Sequence, residues 1–140
     1  MEDYQRYIDI AENIIRVSRN TLIVNLRFMD SAMSHLYSRP YDGTVATDGQ
    51  YVYFNPVHIL KSYKQAKEVP THAYLHMVMH CVFQHFYVDI GKVDQQLWDI
   101  ACDIAVEATI LELNLKQVQL VEDMQRLQTL ASLKKKCKFL

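Results

Sequence analysis

The sequence is poor in residues that interrupt regular structure and in those that cross-link small secreted domains. Its 140 residues include only three glycines, three prolines and three cysteines. So few glycines and prolines leave little room for long irregular segments, and helices are expected to dominate. The cysteines are odd in number and widely spaced, which argues against a disulfide framework or a paired zinc knuckle. We interpret Cys81 and Cys102 as buried small hydrophobic residues.

An excess of charge and long apolar runs are missing as well. The formal net charge is −1, which argues against a nucleic-acid binder held by bulk electrostatics. No apolar run approaches the roughly 18 residues that a membrane-spanning helix needs. Glu2, Asp3 and Arg6 interrupt the start of the chain, so we expect no signal peptide and a cytoplasmic protein. Half of the residues are hydrophobic, which suits a single domain over residues 1–140.

Apolar residues recur at helical spacing through most of the chain. Predicted helices cover residues 1–18, 22–37, 56–66, 71–90, 95–113 and 115–133. Asn20-Thr21 is expected to separate the first two, and Pro56 suits the first turn of the third. Thr71 and Asp94 are the expected N-caps of the fourth and fifth helices, because their side-chain oxygens can accept hydrogen bonds from first-turn amides.

One segment shows β character. Residues 38–43 are predicted to form a loop, after which residues 44–47 and 50–54 are predicted to pair as two short strands. Asp48-Gly49 between them favours the type I′ turn of a two-residue hairpin. The fold class that follows is α+β and mostly helical, with a small β-hairpin in place of a large sheet.

The histidines are concentrated in one predicted helix, where four of the six lie within fourteen residues. His72, His76 and His80 are spaced four apart, so their rings lie along one stripe of the helix. Two neutral imidazoles at this spacing bind Zn²⁺ in the H-E-x-x-H signature of zinc metalloproteases. The glutamate of that signature is absent in both possible registers, since Ala73 or Met77 occupies its position.

The next predicted helix carries a matching stripe of carboxylates. Asp99, Asp103 and Glu107 are also spaced four apart. The two stripes suggest a metal site between antiparallel helices, although a metal-free seam of histidine–carboxylate hydrogen bonds explains the same spacing. His85 lies about 140° from His80 on an ideal helix, so it can join the site only if the helix ends or kinks just before it. Asp103 could be a ligand without that condition, or could orient a ligand ring.

Four pieces of the chain occur in a characteristic order. They are Ala46-Thr47-Asp48-Gly49 with Tyr53-Phe54-Asn55-Pro56, the helix from His76 to His80, His85, and Trp98-Asp99-Ile100-Ala101-Cys102-Asp103. Together they cover about residues 20–110 and resemble the family of bacterial putative metallopeptidase domains that commonly precede a VWA-like domain. The resemblance implies a zincin-like fold, with an active-site helix beside a short β element and further helices. It also implies one Zn²⁺ held by His76 and His80, with His85 or Asp103 completing the site.

Met77 occupies the position where the resemblance expects a glutamate. In zincins that glutamate accepts a proton from the attacking water and later delivers it to the leaving amine, whereas a thioether can do neither. Whether this chain hydrolyses peptide bonds is therefore open. Glu107, one turn beyond Asp103, is a speculative substitute, and a solvated or structural carboxylate is the alternative interpretation.

Two functions follow from the sequence. The first is a zinc-binding metallopeptidase-type domain, which would act on a peptide or protein if it is active. The second is a non-enzymatic scaffold for a VWA-like domain or an ATPase partner, as the resemblance implies. The chain would then be either the N-terminal portion of a longer protein or a stand-alone relative. We expect neither a nucleic-acid nor a membrane partner.

Overall fold

The helix that carries the histidine stripe lies at the centre of the fold. The computed structural model describes residues 1–83, 85 and 89–122. Its helices are α1 Glu2–Asn25, α2 Asp30–Ser34, α3 Pro56–Gln65, α4 Glu68–Val82 and α5 Gln95–Leu113. Its strands are β1 Tyr37–Pro40, β2 Ala46–Thr47 and β3 Tyr51–Phe54. The predicted class, α+β and mostly helical, is confirmed.

α1 is one helix where two were predicted, so the expected break at Asn20-Thr21 is wrong. The buried face of α1 consists of Ala11, Ile14, Ile15, Ser18 and Leu22. This stripe continues past Asn20-Thr21, and the Thr21 hydroxyl donates to the carbonyl of Val17 at 2.9 Å. Burial of Leu22 thus outweighs the modest helix propensity of asparagine and threonine.

The helix predicted for residues 22–37 is divided among several short elements. After α1 ends, a 3₁₀ turn covers Arg27–Met29, α2 follows, and the chain enters β1 at Tyr37. Four apolar residues of this region are nevertheless buried, namely Leu26, Met29, Met33 and Leu36, whereas Phe28 and Tyr37 are exposed. The periodicity therefore predicted the burial of most of these residues and predicted the type of element incorrectly.

The sheet has three strands in the order β1-β3-β2. β2 and β3 pair in the antiparallel sense, with Thr47 opposite Val52, which confirms the predicted hairpin. β1 pairs with β3 in the parallel sense, and it overlaps residues 38–43, where a loop was predicted. β1 is an edge strand that ends in Pro40 and is largely exposed, so its sequence carries little strand signal.

The hairpin turn also differs from the prediction. A type I′ turn needs positive φ at both central residues. Gly49 has a φ of 92°, but Asn114 is the one non-glycine residue with positive φ among those that the structure describes. Asp48 instead accepts hydrogen bonds from the amides of Gln50 and Tyr51, so it stabilises the turn through its side chain.

α3 and α5 begin at the residues predicted for them. The Asp94 carboxylate accepts hydrogen bonds from the amides of Gln96 and Leu97, at 2.9 and 3.1 Å. α5 therefore starts at Gln95, as predicted. α3 starts at Pro56 and is capped by the side chain of Asn55.

α4 begins at Glu68, one turn before its predicted start, and Thr71 is not its cap. Thr71 is buried inside the helix, where its hydroxyl donates to Oγ of Ser18 in α1 at 3.1 Å. Pro70 falls in the first turn of α4, where its missing amide hydrogen costs no intrahelical bond. The polar pair between Thr71 and Ser18 instead fixes α4 against α1.

α4 packs against α1 and α3 on one side and against α5 on another. Its core-facing residues are Tyr74, Leu75, Val78 and Met79. A 3₁₀ turn at Lys116–Val118 also contacts α4, and Val118 is buried there. The histidine stripe is thereby directed at α5. In the part of the chain that the structure describes, no helix is both long and apolar enough to span a membrane.

The helix predicted for residues 115–133 does not begin where expected. Leu115 has an extended backbone, and the next three residues form the 3₁₀ turn. Residues 123–140 lie outside the described ranges, and so do Cys137 and the lysine-rich end of the chain.

Candidate metal centre

The histidine and carboxylate stripes face each other across α4 and α5. His72 contacts Glu107, His76 contacts both carboxylates, and His80 contacts Asp103. The residue numbers rise along α4 as they fall along α5, so the helices are antiparallel. The predicted meeting of the two stripes is therefore what the structure shows.

Three side-chain atoms converge at one point of this seam. Nε2 of His76 lies 3.0 Å from Nε2 of His80, and Oδ1 of Asp103 lies 3.0 Å from the first and 2.9 Å from the second. The two rings are largely buried, whereas the Asp103 side chain is 58% exposed. We call His76, His80 and Asp103 the triad; it forms a group able to hold a metal ion.

The size and chemistry of the triad fit a zinc ion. Ligand atoms bound at about 2.0 Å around a tetrahedral zinc lie roughly 3.3 Å apart. The observed separations of 2.9 to 3.0 Å are shorter by a few tenths of an ångström, a difference that small side-chain rotations can supply. Two imidazole nitrogens and one carboxylate oxygen are also a donor set that zinc accepts.

The donor set also favours a cation at the centre of the triad. Glu107 accepts a hydrogen bond from Nδ1 of His76 at 2.6 Å, so Nε2 of a neutral His76 carries a lone pair. That lone pair faces Oδ1 of Asp103 at 3.0 Å. Two acceptors at this distance repel each other unless a proton or a metal ion lies between them.

Burial and hydrogen bonding act in opposite directions on the pKa values here. Burial disfavours the charged form of His76, but the hydrogen bonds with Glu107 and Asp103 outweigh it and raise the pKa of His76. Burial and the neighbouring His76 ring lower the pKa of His80. Burial also disfavours ionised Glu107, yet its hydrogen bonds with His72 and His76 prevail and lower its pKa. An ionised carboxylate is therefore stable beside these rings.

Behind the triad, a second group of polar atoms joins α4, α5 and the 3₁₀ turn. Nε2 of His72 lies 2.9 Å from Oε2 of Glu107, and Nδ1 of His72 lies 2.7 Å from the carbonyl oxygen of Val118. We call His72, Glu107 and the Val118 carbonyl the anchor. His72 is a buried polar residue, and these contacts satisfy both of its ring nitrogens.

His85 lies beside the triad but on the far side of the His80 ring. α4 ends at Val82, and the His85 amide donates back to the carbonyl of His80 at 3.2 Å. His85 was expected to approach the site only if the helix ended or kinked just before it, and α4 does end before it. Its Nδ1 lies 2.9 Å from Nδ1 of His80, whereas Nε2 of His80 faces the triad. The ring also packs edge-on against Trp98.

A cavity of about 430 Å³ opens next to the triad. It is lined by Thr47, Met77, His80, His85, Ile90, Gln95, Trp98, Asp99, Cys102 and Asp103. Met77 thus reaches the cavity from the position directly after His76 on α4. Asp99 also lines the cavity, and its carboxylate accepts a hydrogen bond from the side-chain amide of Gln95 at 2.8 Å. Glu107 is not among the lining residues.

His35 and His58 lie apart from the site, and neither Cys81 nor Cys102 belongs to the triad. His35 is exposed and bonds the Ser31 carbonyl one turn earlier, and His58 is exposed on α3. Cys102 is buried and Cys81 is half-buried, and burial raises the pKa of both thiols. Sequence reasoning missed the role of Val118, since no pattern marks a backbone carbonyl as a partner. It also set His72 aside, although the four-residue spacing had already placed it in the stripe.

Comparison with known proteins adds one finding. A family model described as "Putative metallopeptidase domain" matches residues 18–137. No curated protein and no solved structure matches the chain. The zincin-like part of the predicted fold therefore stays a prediction.

Proposed function

The chain belongs to this family of putative metallopeptidase domains, and from that premise we propose that it binds one Zn²⁺ through His76, His80 and Asp103. The observation that carries the proposal is the convergence of three ligand atoms within 3.0 Å of one another. Asp103 is favoured over His85 as the third ligand, because the nearest contact of His85 is to the other nitrogen of His80.

Three protein ligands beside a cavity are typical of catalytic rather than structural zinc sites. Zinc held there would supply a Lewis acid able to polarise a peptide carbonyl. The cavity could admit a peptide segment next to the triad, and Asp103 would bring one negative charge to the site. Apolar walls at Trp98 and Ile90 would limit the access of water.

The residue that would handle the proton is missing from its usual position. Met77 lines the cavity, and a thioether neither accepts nor delivers a proton at neutral pH. We therefore propose that the chain binds metal with little or no peptide hydrolysis. The same observation favours a second function, a non-enzymatic module that serves a VWA-like domain or an ATPase partner.

Metal content tests the first proposal. Tag-free protein is expected to contain about one zinc per chain by elemental analysis, and the His76→Ala/His80→Ala variant is expected to contain none. The His35→Ala/His58→Ala variant is the matched control, because it removes two exposed histidines outside the site. Absence of zinc from the wild-type protein, even after incubation with zinc at neutral pH, would contradict the proposal.

A Met77→Glu variant separates the two functions. It places a carboxylate at the cavity, so hydrolysis of a generic peptide substrate should appear, or rise by about 100-fold or more over wild type. The zinc-free variant provides the background rate. If Met77→Glu binds zinc and hydrolyses nothing across a broad panel of peptides, the non-enzymatic function is favoured.

A further inference from the structure

Glu107 touches two histidines with one carboxylate. Its Oε1 accepts from Nδ1 of His76 at 2.6 Å, and its Oε2 lies 2.9 Å from Nε2 of His72. These contacts lie behind the His76 ring, away from the nitrogen that joins the triad. Glu107 does not line the cavity, and both of its carboxylate oxygens are already engaged by histidines.

The hydrogen-bond roles follow from what each partner can do. A backbone carbonyl only accepts, so Nδ1 of His72 donates to Val118 at 2.7 Å. The ionised carboxylate of Glu107 likewise only accepts, so Nδ1 of His76 and Nε2 of His72 both donate to it. His72 therefore carries a proton on each ring nitrogen. A neutral His76 then has its lone pair on Nε2, the atom 3.0 Å from both His80 and Asp103.

We propose that Glu107 is the positioning residue of the metal centre, and that it fixes His76 in the tautomer and ring orientation that direct Nε2 at His80 and Asp103. His72 and the Val118 carbonyl hold Glu107 in turn. The inference rests on the proposed function, because it assigns Glu107 to the zinc site rather than to proton transfer. The sequence suggested Glu107 as a speculative substitute for the missing base. Here it has a positioning role instead.

The anchor is well placed to hold Glu107, and through it the His76 ring, in position. Val118 is 1% exposed and His72 is 6% exposed, so the far end of the anchor is fixed by packing. Asp103, on the same helix, has an exposed side chain by comparison. Partners in this position typically change metal affinity by 10- to 100-fold when they are removed.

The first test uses the metal-free wild-type protein. Long-range ¹H–¹⁵N NMR, recorded at a pH where His76 is neutral, should show a proton on Nδ1 and none on Nε2. Glu107→Gln should give a mixture of tautomers, because an amide can donate as well as accept. A wild-type His76 protonated on Nε2 would overturn the inference.

The second test measures zinc affinity by competition with a chelator. Glu107→Gln should bind zinc at least 10-fold more weakly than wild type, with an unchanged circular dichroism spectrum. Glu112→Gln is the matched control, since Glu112 is an exposed glutamate of the same helix, and it should bind like wild type. Binding by Glu107→Gln within twofold of wild type would overturn the inference.

The two proposals fail in different ways. Loss of the proposed function would appear as wild-type protein that binds no zinc. The tautomer of His76 would still be decided by NMR in that case, so the role of Glu107 is tested whether or not zinc binds.

Discussion

The triad and the anchor contain the same kinds of residue, yet their atoms are partnered differently. In the anchor, every contact joins a ring nitrogen to an oxygen of a carboxylate or a carbonyl, so each is a hydrogen bond when His72 carries a proton on both ring nitrogens. In the triad, two ring nitrogens and one oxygen face one another at 2.9 to 3.0 Å. Hydrogen bonds alone cannot satisfy all three contacts when His76 is neutral.

This difference indicates that the triad, rather than the anchor, is the half of the seam suited to a metal ion. The anchor is buried under Val118 and joins three elements, which is the arrangement of a structural hydrogen-bond network. The triad lies at the edge of a cavity and includes an exposed carboxylate. Histidine–carboxylate pairing alone would therefore not identify the metal site. The convergence of three atoms at one point is what marks the triad as the candidate metal site.

The largest expected effect comes from Asp103→Asn. This change removes the anionic ligand of the triad while keeping its shape, so zinc affinity should fall by at least about 100-fold, or about 2.7 kcal/mol. Asp99→Asn is the matched control, because Asp99 lies one turn earlier on the same helix and lines the same cavity. Isothermal titration with zinc measures both, and equal affinities for the two variants would contradict the assignment.

Breaking the anchor should affect stability more than metal stoichiometry. His72→Phe leaves the Val118 carbonyl without its histidine partner and removes one partner of Glu107, so the free energy of unfolding should fall by about 1–3 kcal/mol. Urea denaturation of the metal-free protein measures the loss, with His58→Phe as an exposed control. The variant should still bind about one zinc per chain. Unchanged stability would show that the anchor is not structural.

The smallest effect is expected from His85→Ala. Because His85 contacts Nδ1 of His80 and not the nitrogen in the triad, its removal should weaken zinc binding by less than about 10-fold. A chelator competition assay is sensitive enough to measure this. A loss as large as that of Asp103→Asn would show that His85 is a ligand and that the ring turns toward the zinc.

The sequence predicted the fold best where one local interaction decides it. Asp94 placed the start of α5 correctly, because a side-chain cap fixes a helix end without help from the rest of the chain. Thr71 has the same chemistry, yet it is buried and bonded to Ser18. β1 was missed because its pairing with β3 depends on residues far along the chain, and its own exposed sequence does not show it.

The sequence predicted which residues form the two stripes of the site, but not which histidine faces which carboxylate. Spacing of four placed the histidines on one stripe and the carboxylates on another. Spacing alone could not say that His72 meets Glu107 while His80 meets Asp103, since sliding one helix by a turn gives equally regular contacts. That register depends on how α5 and the turn that contains Val118 pack against α4, which no local pattern encodes.

Anomalous diffraction from zinc-loaded crystals, collected at the zinc absorption edge, would test the account most directly. One peak per chain is expected at about 2 Å from Nε2 of His76, Nε2 of His80 and an oxygen of Asp103. The anchor should be free of anomalous signal. A peak between His72 and Glu107, or no peak in crystals grown with excess zinc, would contradict it.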